Sequence, residues 1–126
     1  MGLSLDQYQA ALNAAILEGE GFGSINAGGN TGAAKTIPDV TVNVLHTYTI
    51  TANCTFTMPA PAAGRTVKVL LTQDGTGSRV PTFTGVRWAG GSMPAASTAA
   101  AAVDLFTFQC VDGTHWEGNL SIKALA

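Results

Sequence analysis

The chain has 126 residues, enough for one domain with one modest core. Charged residues make up 11% of it, against about 25% in an average soluble protein, and the net charge is −2. With no basic stripe to neutralise phosphates, a nucleic-acid partner is not expected, and so thinly charged a surface usually has some of its area covered by another chain.

No apolar run approaches the ~20 residues of a membrane span, and the first residues lack the basic flank and apolar core of a signal peptide. The expectation is a protein with no membrane partner, made in the cytosol. In that reducing compartment Cys54 and Cys110 read as free thiols.

Residues 4–18, SLDQYQAALNAAILE, predict a helix. Ser4 and Gln7 form a capping box, Asp6 suits the first turn, and Leu5, Tyr8, Leu12, Ala15 and Ile16 recur at helical spacing. Gly19 stops it. A helix this short is marginal alone, so its narrow apolar stripe must dock on its own domain, a sister subunit or a larger partner. From Gly19 to Thr36, glycine and small polar residues predict a flexible arm, with Phe22 and Ile25 as candidate anchors for a partner.

After Ile37-Pro38 the apolar period becomes two. Val40, Val42 and Val44, then Tyr48 and Ile50, alternate with polar residues and predict a half-buried antiparallel sheet. Cys54–Met58 is a short strand closed by Pro59 and Pro61. Arg65–Gln73 places Val67, Val69 and Leu71 on one face, and Leu70 on the other indicates that this side too is partly covered. Asp74-Gly75-Thr76-Gly77-Ser78 predicts a hairpin loop, after which Pro81 confines the next strand to a sheet edge. Residues 95–102 read as a lead-in loop to the strand Val103–Val111, and Asp112-Gly113 turns the chain into a last strand. The pattern predicts a mainly β fold, an antiparallel β-sandwich or barrel-like domain over 37–126, preceded by the helix and glycine-rich arm of 1–36.

Catalytic and metal motifs find little support. Gly29–Thr36 comes close to a phosphate-binding loop but has Ala34 where the glycine belongs, and Ile37-Pro38 follows where a helix should start. Cys54, Cys110, His46 and His115 lack zinc spacing, Asp74 lacks the further carboxylates of a calcium loop, and no serine sits in a nucleophile elbow. The acids are scattered singly, so no paired-carboxylate hydrolase is indicated. No enzyme, cofactor or metal is expected. Trp88 and Trp116 read as core packing in preference to a glycan platform.

Residues 49–120, and within them QDGTGSR and GVRWAGG with VDLFTFQCVDGTHWEGNL, resemble a β-rich module of tailed-bacteriophage virion proteins, tail fibres among them. The resemblance implies a virion building block that commonly works as a trimer. A single small β-domain behind a helix and arm suits a capsid decoration, or cement, protein: it would bind the major capsid protein through Leu5, Tyr8, Leu12, Ile16, Phe22 and Ile25, and associate as a homotrimer on the capsid surface. A short tail or head fibre that binds a host glycan is the alternative.

Overall fold

The structure, a computed structural model, describes residues 24–40 and 44–125. The helix expected over 4–18, with Leu5, Tyr8, Leu12 and Ile16, and the anchor Phe22 lie outside the described residues. The described chain forms strands β1 (Ser24–Asn30), β2 (Ala34–Thr36), β3 (Val44–Ile50), β4 (Cys54–Thr57), β5 (Thr66–Gln73), β6 (Pro81–Phe83) and β7 (Val86–Trp88), a 3-10 turn at Ala89–Gly91, then β8 (Val103–Gln109) and β9 (Trp116–Leu125).

Two sheets result, ordered β1-β3-β5-β8-β9-β7 and β2-β4-β6. The class is mainly β, but the expected antiparallel arrangement is corrected to a mixed one. β1, β3 and β5 run parallel, as do β2, β4 and β6, and β7 lies parallel to β9. The antiparallel pairs are β5–β8 and β8–β9, the latter joined by the Asp112-Gly113 turn. Parallel neighbours need a long crossover between them, and here the second sheet supplies it. The chain leaves β1 and enters β2, leaves β3 and enters β4, leaves β5 and enters β6, each time passing from the larger sheet to the smaller. Three such arches stack as rungs.

This topology corrects two further expectations. Asp74–Ser78 is the crossing of the third arch, not a hairpin, because β5 and β6 belong to different sheets. The turn chemistry is as expected. The Asp74 carboxylate accepts from the Thr76 and Gly77 amides at 3.2 and 2.9 Å, and pairs with Arg79 at 3.1 Å. The direction is set by buried Gln73, whose amide donates to the carbonyls of Arg79 and Ser97 at 2.7 and 2.9 Å and so holds the outgoing chain across the core. Likewise the segment expected to be a flexible arm carries β1 and β2 from Ser24 onward. Its glycine serves close approach. A Cβ on Gly28 would stand 2.0 Å from a Tyr48 ring carbon, so only glycine lets β1 lie against that ring. Pro81 does lie on an edge strand, β6.

The core fills the space between the sheets. Phe83 on β6 meets Phe106 and Phe108 on β8 at 5.1 and 4.8 Å between ring centroids, and stacks on Phe56 of β4 at 5.0 Å. Trp116 is 1% exposed and its indole donates to the Pro59 carbonyl at 2.9 Å, while Trp88 packs on Phe83, Phe106 and Phe108. Both tryptophans are therefore packing residues. One buried acid, Asp104, accepts from the Ser97 amide and hydroxyl at 2.7 and 2.6 Å and from the Ala124 amide at 2.8 Å. Three donors replace the water it has lost, and they tie the 92–102 loop and the end of β9 to β8.

Candidate interaction surface

The first rung is where the stack ends. β1 is the outermost strand of the six-stranded sheet and β2 that of the three-stranded one, so each presents an edge with no strand beside it among the described residues. A row of unpaired amides and carbonyls is a template for another strand. Of the expected anchors, Ile25 falls here, on β1, 70% exposed. No charged residue lies in Ser24–Asn30 to discourage pairing. β2 differs. Its Lys35 has its ammonium 5.8 Å above the centre of the Tyr48 ring, and an inward-pointing charge on an edge strand blunts indiscriminate pairing.

Beneath this rung lies the polar part of the core. His46 and Tyr48 occupy the inner face of β3, 0% and 3% exposed, and Asn26 of β1 is 3.1 Å from the His46 Nδ1. Among the described residues, the His46 Nε2 and the Tyr48 hydroxyl have no hydrogen-bond partner. Burial pushes the imidazole pKa below its ordinary value and the phenol above its own, with Cys54 adding to the latter. Cys54 itself is raised, chiefly by burial, against the opposing pull of Thr31 and Lys35. A thiol so displaced is a poor nucleophile.

The outer face of the six-stranded sheet is the second surface. Registers place Ala27, Thr47, Leu70, Leu105 and Ile122 in one row across five strands. Adjoining rows bring Leu45 and Lys68, and Val103 and Leu125. Ile122 and Leu125 are 43% and 44% exposed, and Leu45, Leu70 and Leu105 are half-buried. Of this patch the sequence singled out Leu70. The available signal was that β3, β5 and β8 each carry one or two aliphatic residues on the alternation that faces away from the core.

At the other end of the same face the chain is charged. Arg87 bonds Asp112 at 3.0 Å and also Glu117, and His115 sits 3.2 Å from Asp112. The Asp112 carboxylate lies well below the usual carboxylate range because the Thr114 and His115 amides donate to it. Charges satisfied this way, on the surface, make an ion network that orders the β8–β9 turn.

The residues weighed for zinc do not converge: Cys54 opens β4, Cys110 follows β8, His46 is buried in β3 and His115 is in the β8–β9 turn. Lys35, the lysine of the near-miss phosphate loop, is taken up by Tyr48. A cleft of about 320 Å³ beside β6 is lined by residues such as Pro81, Phe83, Trp88, Met93 and Pro94, without a titratable group. Another of about 340 Å³ holds Arg65 and Cys110, but Arg65 is engaged by Asp39 at 2.7 Å and by the Ala60 and Val40 carbonyls.

No protein-family model, curated protein or solved structure matches this chain.

Proposed function

We propose that the protein is a non-catalytic assembly module, a capsid decoration protein of a tailed bacteriophage, and that it grips the capsid by having its first rung extended by a strand of the capsid protein. The observation that carries this reading is that the end of the arch stack has no cap among the described residues. Stacked-rung proteins keep their ends closed with atypical caps, and an end left as bare edge continues into whatever strand it meets. The glycine-rich, uncharged β1 admits close backbone approach, and Ile25 offers an apolar anchor beside it. Such binding stabilises the assembled shell alone, by mass action. The phage assignment itself rests on the sequence resemblance.

Mixing the purified protein with capsids stripped of decoration and imaging the particles tests it. Regular density on the shell is expected, and bare capsids at saturating protein sink the proposal. Ile25→Asp should lower occupancy without altering the fold. The resemblance adds threefold association, for which sedimentation should return a trimer; a monomer removes that part. The fibre alternative asked for tryptophans on display, and the burial of Trp116 gives it no support.

A further inference from the structure

We infer that the aliphatic outer face of the six-stranded sheet is the docking site of this chain's own residues 4–18, lying on it as an amphipathic helix antiparallel to β1. Three independent matches carry this. The first is apolar: the stripe Leu5, Tyr8, Leu12 and Ile16 needs a surface to bury it, and the row Leu70–Leu105–Ile122, with Leu45 and Leu125, needs a cover.

The second is length and connection. Fifteen helical residues extend about 22 Å, close to the roughly 23 Å of the seven-residue strands β3 and β8. The five residues 19–23 reach at most about 17 Å, enough to fold the segment back over the sheet from Ser24, the first residue of its edge strand.

The third is charge. Residues 1–23 contain Asp6, Glu18 and Glu20 and no lysine or arginine. Of the six lysines and arginines in the chain, Arg65, Arg79 and Arg87 are in ion pairs and Lys35 sits over Tyr48. The remaining two, Lys68 and Lys123, are exposed, and Lys68 stands at one end of the patch. Lys68 is in the row of Ile25 and Leu45, where the chain enters β1. A helix running back from Ser24 would bring Glu18 and Glu20 to Lys68. The reverse direction would set Asp6 beside Lys68 and leave the two glutamates far from their chain exit. The docked segment lies on a face, so the backbone edge of β1 invoked for capsid binding stays open, while Ile25 shares the Lys68 row at the margin of that face.

The test uses the full-length free protein, which separates it from capsid binding. A nitroxide is attached through Asn13→Cys, off the apolar stripe; Cys54 and Cys110, each 2% exposed, are shielded from the reagent. In the isotope-labelled chain the amide signals of Leu70, Leu105 and Ile122 should be lost selectively, with those of β4 and β6 on the far side of the core retained. An equal mixture of spin-labelled chain and isotope-labelled chain without nitroxide should show no such loss. Lys68→Glu, at an exposed position that leaves the fold alone, should restore part of the signal, and Lys68→Arg should not. Retained signals at all three residues, or loss that arises in the mixture as fully as within one chain, would overturn the assignment to the chain's own segment.

Discussion

The two faces of the six-stranded sheet are built from the same strands and do opposite things. On β8, Phe106 and Phe108 point inward and are fully buried against Phe83 of the smaller sheet, whereas Leu105, between them, points outward into the aliphatic row. The inner face is aromatic and closed by the chain's own second sheet. The outer face carries an aliphatic row with Lys68 at one end, and among the described residues no second sheet covers it. Closure within the domain fixes the fold; among the described residues, the outer face and the first rung are left without a covering sheet or neighbouring strand.

The contrast is most directly broken in the core. Phe106→Ala should cost about 3–5 kcal/mol in equilibrium unfolding, since its site is enclosed on all sides by Phe83, Phe108 and Trp88. Leu105→Ala, one residue away, should cost on the order of 1 kcal/mol because a half-buried side chain gives up less area. Equal losses at the two positions would erase the distinction between the faces.

Gly28→Ala comes next, with an expected cost of about 1–3 kcal/mol from overpacking against Tyr48. Its effect should be local. Amide exchange should quicken in β1 and β2 while β8 and β9 keep their protection; uniform loss would mean that the first rung is no separate end of the stack.

A third effect depends on pH. Burial holds the folded-state pKa of His46 below its ordinary 6.5, so the unfolded chain binds the proton more readily. The contribution is fully present above that value and is lost as pH falls below it towards the folded pKa. The urea midpoint should therefore drop on going from about pH 8 to pH 5, and His46→Leu should flatten part of that slope. An unchanged slope in the variant would place the proton uptake elsewhere. The smallest effect should come from Arg87→Ala, which removes an exposed partner of Asp112 and Glu117 and should shift the thermal midpoint least of the five substitutions.

Much of the strand content was legible because the period of two is strong where a strand is covered on one side, as in Val67, Val69 and Leu71 with polar or half-covered residues between them. Pro81 announced an edge for a reason that holds in any sheet: it has no amide to give. Sheet membership was not legible from turn chemistry, since Asp74-Gly75-Thr76-Gly77 reverses a chain equally well within a sheet or across a core, and the deciding group, Gln73, acts through side-chain bonds to residues 6 and 24 positions away. A subtler signal was present. Thr55-Phe56-Thr57 and Thr82-Phe83-Thr84 repeat one another, and Thr36-Ile37-Pro38 matches Thr57-Met58-Pro59; the registers set Lys35, Phe56 and Phe83 in one ladder. That is the trace of stacked arches. Glycine richness at 24–36 misled because a segment with few side chains to bury forms a strand when a neighbour, here β3, supplies the hydrogen bonds.

If the first rung is the surface that meets the capsid, hydrogen exchange compared between free and capsid-bound protein will show it. Binding should slow exchange at Ser24–Asn30 and Ala34–Thr36 and leave β6 and β7, at the opposite sheet edges, unchanged. Protection confined to β6, β7 or the Asp112–His115 turn, with the first rung as fast as in the free protein, would contradict it.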